Sequence, residues 1–134
     1  MTTINKIKKG DITYNIVAND VYSSEEQEIG TWIDGKPLYR KVITLTSGFV
    51  KNEKRYAHNI ADVKEIERVS GMVYRSDGWN QPLPTTCIMQ NNWLVSIYDI
   101  SNTEFSLWFG QDQVEGEKSI IKIQIIFEYT KTTD

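Results

Sequence analysis

The residues of this chain that could carry out nucleophilic chemistry are few and lie far apart. One histidine, His58, and one cysteine, Cys87, are the only residues of their types among 134. A nucleophile needs a base that meets it in space, and Cys87 stands in an apolar stretch, TTCIM, where cysteine is usually a small buried hydrophobe. His58, in RYAHNIAD, is expected at the solvent edge or as a cap. The sequence therefore predicts no nucleophilic catalysis.

Paired carboxylates are the other arrangement that could do chemistry, because two suitably spaced acids hydrolyse glycosides. The chain has 18 Asp and Glu residues, so pairs arise by chance and most are ordinary surface charge. The candidate acids are Glu25, Glu26, Glu104, Asp112, Glu115 and Glu117. One histidine and one cysteine do not make the usual structural zinc site unless chains share ligands across an oligomer. We expect no enzyme, no metal and no cofactor, and a small glycan hydrolase is the weakest alternative.

Length and charge narrow the classes of partner. At 134 residues and 15.5 kDa the chain has the size of one domain, so we expect a single core over residues 1–134. A net charge of −3 and a pI near 5.2 give no electrostatic attraction to nucleic acid or to anionic lipid. Apolar runs are short and no signal peptide is visible at the start, so we expect a protein made in the cytosol that enters no membrane.

The dominant hydrophobic period along the chain is two, which is typical of half-buried strands. It is clearest over residues 119–130, where apolar and polar side chains alternate. Further runs rich in β-branched and aromatic residues lie at 12–17, 38–46, 69–75, 93–100 and 104–110. The separators between them contain Asn, Asp and Gly, which favour turns. The sequence therefore predicts a series of antiparallel hairpins.

Only residues 59–67 suggest a helix. Asn59 stands in the position of an N-cap, and the apolar residues near helical spacing are Ile60, Val63 and Ile66. Short strands with turn signals and at most one short helix predict an all-β fold, an antiparallel β-sandwich or a Greek-key barrel. Within it, residues 1–20 are expected to lead into a sandwich that spans 21–134.

Residues 30–41 read GTWIDGKPLYRK and predict a hairpin turn. Asp34-Gly35 between extended residues is a strong hairpin signal, because Gly accepts a positive φ freely and Asp tolerates it. Pro37 lacks a backbone donor and belongs at an edge or an unpaired position. Trp32 is expected to pack nearby, and an exposed Trp and Arg platform for a ligand is the alternative. The arms are residues 29–33 and 38–46, and the cations expected to be solvated or paired with Asp34 and Glu28 are Lys36, Arg40 and Lys41.

The abundance of aromatic residues is the remaining chemical feature. Four Trp and seven Tyr residues suit interfaces and the apolar faces of sugars. Trp79 lies in a polar loop, SDGWNQP, beside Asp77 and Asn80, and these three residues are the candidate ligand-binding site. The alternative is that Trp79 folds back over the sheet or fills a subunit interface. Trp93 and Trp108 lie in strand patterns and are expected in the core or in subunit packing.

Residues 22–41, YSSEEQEIGTWIDGKPLYRK, carry a resemblance to a known group of proteins. They are similar to the segment YSxEExxIGxWxDGKPxYRK of proteins from tailed bacteriophages and prophages, chiefly of Gram-positive hosts. There the segment commonly opens the distal domain of a tail-fibre or baseplate protein. Residues 126–134, IFEYTKTTD, resemble the strand and tail that end many of these chains, and residues 4–16 resemble the segment that precedes such domains.

The resemblance implies a β-rich virion protein of the tail tip or baseplate, a homotrimer among other virion proteins that adheres to host cell-wall saccharide. It carries over no receptor-binding residue, because the matching motif is a hairpin, and specificity is expected in the variable middle of the chain. Edge strands and abundant aromatics agree with a symmetric assembly that covers them. A head decoration or assembly protein without a ligand is the alternative.

Overall fold

The computed structural model of the chain describes residues 6–9, 12–15, 21–50, 52–83, 95–110 and 119–134. These ranges contain ten β-strands and no helix. In chain order the strands are β1 (Lys6–Lys9), β2 (Ile12–Asn15), β3 (Gln27–Thr31), β4 (Pro37–Leu45), β5 (Asn52–Ala57), β6 (Val63–Arg75), β7 (Gln81–Leu83), β8 (Val95–Tyr98), β9 (Glu104–Phe109) and β10 (Ile120–Lys131).

Eight of these strands form two antiparallel sheets. One sheet has five strands in the order β3-β4-β10-β6-β7, and the other has three in the order β5-β9-β8. Strands β1 and β2 pair with each other as a hairpin. The longest ladders run from β10 to β4 and β6, so β10 is the central strand of the larger sheet. The predicted all-β antiparallel class is confirmed, and two separate sheets are consistent with a β-sandwich.

The core lies where the inner face of β9 meets the inner face of β10. Successive side chains of a strand point to opposite faces, so every second residue of each strand can be buried. The buried side chains of these two strands that join the core are Phe105, Leu107, Phe109, Ile120, Ile123, Ile125, Phe127 and Tyr129. The rings of Phe105 and Phe127 meet across the sheets with centroids 5.3 Å apart. Burying each such side chain stabilises the fold by about 1.5 to 3 kcal/mol.

A bulge at the start of β10 alters the predicted alternation. Ile120 pairs with Arg75, but Lys122 pairs with Tyr74, so β10 has one extra residue between these positions. Ile120 is therefore buried, and Ile121, which the alternation placed on the inner face, is 53% exposed. The two neighbouring isoleucines hide the bulge, because either could continue the apolar face.

The helix predicted over residues 59–67 is wrong. Asn59 and Asp62 both have a φ of 57°, which lies outside the right-handed helical region and is tolerated by Asn and Asp better than by most residues. The chain makes a turn here, and β6 begins at Val63. Ile60 and Val63 are both buried. The apolar spacing that suggested a helix face therefore belongs to a turn followed by a strand.

His58 is buried just before this turn, so its predicted place at the solvent edge is wrong, and residues 59–67 form no helix for it to cap. Its Nδ1 accepts a hydrogen bond from the Ile60 N–H at 3.2 Å, and its Nε2 lies 3.1 Å from the carbonyl oxygen of Ser101. Because Nδ1 accepts, Nε2 carries the proton and donates to Ser101. The ring also packs 5.8 Å from that of Phe127. His58 thus connects the segment before β6 to the segment before β9.

The predicted hairpin joins β3 to β4. Gly35 has a φ of 85°, and its N–H donates to the carbonyl oxygen of Trp32 at 2.9 Å. The Trp32 N–H donates to the carbonyl oxygen of Lys36 at 2.8 Å, and Oδ1 of Asp34 accepts from the Lys36 N–H at 3.0 Å. Pro37 is the first residue of β4 and faces the edge strand β3. Backbone bonds and the Asp34 carboxylate together account for the turn, as the structural interpretation of these residues predicts.

Residues 21–26, which we call the strap, run beside β3 and β4 and cover Arg40. This arginine was expected to be solvated or paired with an acid, yet it is buried. One guanidinium nitrogen donates to Oε1 of Gln27 at 3.1 Å, and Cζ lies 3.7 Å from the ring centroid of Tyr22. The neutral amide and the ring together compensate the buried cation.

The strap is also bound to the central strand. Glu26 accepts a hydrogen bond from the Tyr129 hydroxyl at 2.7 Å and pairs with Nζ of Lys131 at 2.9 Å. The carbonyl oxygen of Ser23 accepts from the Val42 N–H at 3.0 Å. Burial and the bond to Glu26 raise the pKa of Tyr129 above its ordinary value. These contacts fix the strap on one edge of the five-stranded sheet.

We expect the protein to lose stability between pH 10 and pH 12. A hydrogen bond to Asp134 raises the pKa of Tyr39 to about 12, and a hydrogen bond to Glu53 raises the pKa of Tyr98 to about 12. Unfolded tyrosines ionise near pH 10, so in this window the folded state binds more protons than the unfolded state. The stabilisation is complete below pH 10 and is lost as the pH rises through 12.

Phenolate absorbance and circular dichroism, followed together through this window, check the prediction. Tyr39 and Tyr98 should give their phenolate absorbance near pH 12 as long as the fold persists, and near pH 10 once it opens. Asp134→Asn should lower the pKa of Tyr39 and leave that of Tyr98 unchanged. Ionisation of all the tyrosines near pH 10 in an intact fold would contradict it.

Candidate functional site

The predicted ligand-binding residues Asp77, Trp79 and Asn80 lie together in the turn between β6 and β7. The turn bends at Gly78, which has a φ of 82° and donates its N–H to the carbonyl oxygen of Arg75 at 3.1 Å. Trp79 is 76% exposed. It does not fold back over the sheet, so an open indole lies at one end of the five-stranded sheet.

Asp77 holds the backbone beneath this indole. Its Oδ1 accepts a hydrogen bond from the Trp79 N–H at 3.0 Å, and its Oδ2 forms a salt bridge with the guanidinium of Arg75. Partial burial acts to raise the pKa of Asp77, but the Trp79 N–H and the Arg75 guanidinium outweigh it and hold that pKa below its usual value. Asp77 therefore stays ionised at neutral pH and keeps both contacts.

Asn80 completes the turn in the same way. Its Oδ1 accepts a hydrogen bond from the Arg75 N–H at 3.2 Å. The oxygen atoms that were expected to face a ligand beside Trp79 therefore hold the turn together. The turn therefore presents the indole of Trp79 on a backbone that is held by hydrogen bonds. A backbone that is already ordered loses little conformational entropy when a ligand binds.

The hairpin residues lie at the opposite end of the same sheet. Strands β4 and β6 are both antiparallel to β10 and so run in the same direction. The β3–β4 turn is at the start of β4, whereas the β6–β7 turn is at the end of β6. Asp34 accordingly lies 3.8 Å from Nζ of Lys64, near the start of β6. The two sequence-predicted groups, the hairpin and the Trp79 turn, do not form one site.

Two further tryptophans, Trp93 and Trp108, were expected in the core or in subunit packing. Trp108 is 38% exposed on the outer face of β9, so its expected place in the core is wrong, and its alternative place in subunit packing stays a prediction. Its neighbours Leu107 and Phe109 face inward, and alternation turns Trp108 outward. Trp93 and Cys87 lie outside the described residues.

A groove on the outer face of the five-stranded sheet is the main feature that the sequence analysis missed. Its volume is about 530 Å³, which is within the range of small-molecule sites. Outward side chains of β4, β6 and β10 form its floor, and the strap forms one wall. The lining residues are Tyr22, Ser23, Ser24, Val42, Thr44, Ser70, Gly71, Met72, Tyr74, Gln124 and Ile126.

Each of the two tyrosines of the groove makes a cation–π contact. The guanidinium of Arg40 lies against the ring of Tyr22, and Nζ of Lys122 lies 4.5 Å from the ring centroid of Tyr74. A cation over an aromatic face is attracted by the electron density of the ring. Both cations therefore lie against tyrosine rings. Tyr22 still exposes 55% of its surface.

The sequence held only a weak signal for this groove. Tyr74, Met72 and Ser70 alternate with inward-facing residues of β6, so their outward direction follows from strand periodicity. Their neighbours on β4 and β10 depend on register, which a single sequence does not specify. The type and spacing of Tyr22 gave no indication that it would lie beside them.

The described part of the chain holds neither a cluster of metal-ligating side chains nor a membrane-spanning helix. In those ranges no three His, Cys, Asp or Glu side chains are placed to hold a metal ion. A helix long and apolar enough to cross a membrane is likewise absent from the ranges that the structure describes. Comparisons of the chain with protein-family models, curated proteins and solved structures found no match.

Proposed function

We propose that this chain is a structural protein of a phage or prophage tail tip or baseplate, a non-enzymatic homotrimer that adheres to saccharide of the host cell wall. The observation that carries the proposal is the exposed indole of Trp79 on a turn held by Asp77 and Asn80. The similarity of residues 22–41 and 126–134 to phage tail proteins supports its assignment to a virion. An all-β fold of two sheets is compatible with this role.

The chemistry of the site fits adhesion. An indole offers a large, rigid and amphipathic face, and the C–H faces of sugar rings are apolar enough to stack on it. One such contact binds weakly. Three linked copies raise the effective concentration of binding sites near the saccharide, so that the trimer binds more tightly than one copy. The trimer is therefore part of the mechanism that we propose.

The first experiment measures binding of the purified chain to cell walls of Gram-positive bacteria by co-sedimentation. Trp79→Ala should lower the affinity roughly tenfold or more, because loss of an aromatic anchor removes most of the stacking energy. Ile33→Ala is the matched control, since Ile33 is 92% exposed but lies in the turn at the opposite end of the sheet. Circular dichroism should show both variants folded.

Light scattering on the eluting protein tests the assembly at the same time. A mass near three times 15.5 kDa at several concentrations supports the trimer, whereas a stable monomer removes the avidity mechanism. Equal wall binding by Trp79→Ala and Ile33→Ala would contradict the role of Trp79. Binding to purified phage heads but not to cell walls would favour a decoration protein instead.

A further inference from the structure

We propose that the groove on the outer face of the five-stranded sheet binds an uncharged saccharide, as a second contact of the same adhesive protein. The choice of a saccharide as ligand rests on the proposed function, whereas the position of the site rests on the geometry of the groove. Tyr74, at one end of the groove, lies just before the turn that carries Trp79. One polysaccharide chain could therefore contact both Tyr74 and Trp79 near the same end of the sheet.

The lining of the groove selects against charged ligands. None of the described residues that line it carries a formal charge at neutral pH. The cations beside the groove, Arg40 and Lys122, lie against the rings of Tyr22 and Tyr74 and do not belong to its lining. A cationic ligand would find no carboxylate in the lining. Burying a charge without a partner is costly, so the groove favours a neutral ligand.

The floor combines apolar and polar groups, as a sugar ring does. Val42, Met72 and Ile126 form the apolar part. Beside them Nε2 of Gln124 donates to Oγ1 of Thr44 at 3.3 Å, a long and therefore weak hydrogen bond. Amides and hydroxyls of this kind can exchange that bond for bonds to ligand hydroxyls.

The two tyrosines mark the length of the site. Tyr74 pairs in register with Lys122, and Ser23, next to Tyr22, bonds to Val42, which pairs in register with Ile126. From position 122 to position 126 a strand rises roughly 13 Å. The rings therefore lie near the two ends of an extended groove, where each can stack on a sugar ring. This spacing fits an oligosaccharide of several rings better than a single monosaccharide.

The test is a titration of isotope-labelled full-length protein, followed by amide chemical shifts. The probe is neutral oligosaccharide released from Gram-positive cell walls, with anionic teichoic acid as the comparison polymer. We expect the neutral probe to shift the amides of Thr44, Ser70 and Gln124, and the anionic polymer to leave them in place. Shifts confined to the Trp79 turn, or no shifts at all, would overturn the inference.

Two variants separate the groove from the Trp79 turn. Ser70→Phe fills the floor with an outward ring, and Tyr22→Ala removes an aromatic wall that lies outside the strands. Each should weaken binding of the neutral probe roughly tenfold, whereas Trp108→Ala, on the outer face of the other sheet, should not. Loss of binding in Trp79→Ala with no change in both groove variants overturns the groove and leaves the adhesive function standing.

The oligomeric state of the variants tests whether the groove is instead a contact between copies of the chain. If Ser70→Phe or Tyr22→Ala changes the solution mass, the groove is a contact between copies of the chain and the saccharide inference is wrong. If the mass is unchanged and the neutral probe loses affinity, the inference holds. Failure of the wild-type protein to bind cell walls would count against the proposed function, whereas the amide shifts report on the groove alone.

Discussion

Replacing Phe127 with alanine is expected to lower the free energy of unfolding by about 4 kcal/mol. Phe127 is fully buried on β10 and contacts the facing sheet and the segment before β6. Its ring lies 5.3 Å from that of Phe105 on β9 and 5.8 Å from the ring of His58. The substitution removes the transfer energy of the ring and leaves a cavity between two sheets that cannot close on it.

Urea denaturation followed by circular dichroism measures this loss. Phe127→Leu keeps most of the apolar volume and should cost only about 1.5 kcal/mol. Ile121→Ala is the control on the same strand, because Ile121 is half exposed and should change stability by less than about 0.5 kcal/mol. Similar midpoints for Phe127→Ala and Ile121→Ala would show that β9 and β10 do not share a core.

Replacing Gly71 with alanine should be nearly as harmful, at about 3 kcal/mol. A Cβ at this position would lie 2.5 Å from the backbone oxygen of Gln124 and 3.2 Å from Cα of Ile125. The obstacle is backbone of the central strand and not a flexible side chain, so β6 and β10 must move apart. Gly71 also lines the groove, and the shift should disturb the floor where Gln124 lies.

Gly30→Ala provides the matched control for this substitution. Gly30 also lies in a strand, but a Cβ there would meet nothing within 4 Å. It should leave stability unchanged or raise it by up to about 1 kcal/mol, because alanine restricts the unfolded chain. Thermal unfolding of both variants gives the comparison. Equal melting temperatures would mean that the two strands separate at Gly71 without cost.

Several strand positions could be predicted from the sequence, because alternation reports directly on burial, but β5, β7 and the first part of β6 were missed. The pattern over residues 119–130 and the Asp34-Gly35 turn are local features, and each determines its own structure. The false helix at 59–67 arose because Asn59 suits both a helix cap and a left-handed turn. The bulge at Ile121 was hidden because its neighbour is also isoleucine.

The candidate sites were less predictable, since they depend on contacts between distant segments. The exposure of Trp79 agrees with its polar loop, but the use of Asp77 and Asn80 within the turn depends on Arg75, whose role a sequence does not reveal. The groove requires three strands in register and the strap across their edge. The burial of Arg40 follows from that same strap and could not be expected from its charge.

The strap also decides how the molecule would respond to force. In an attached protein, tension that arrives through the chain before Val21 reaches the strap first. Glu26 passes this tension to Tyr129 and Lys131 on β10, the strand that two neighbours hold at once. The side-chain bonds of the strap therefore bear this tension before it reaches β3, and they should break before the two sheets separate.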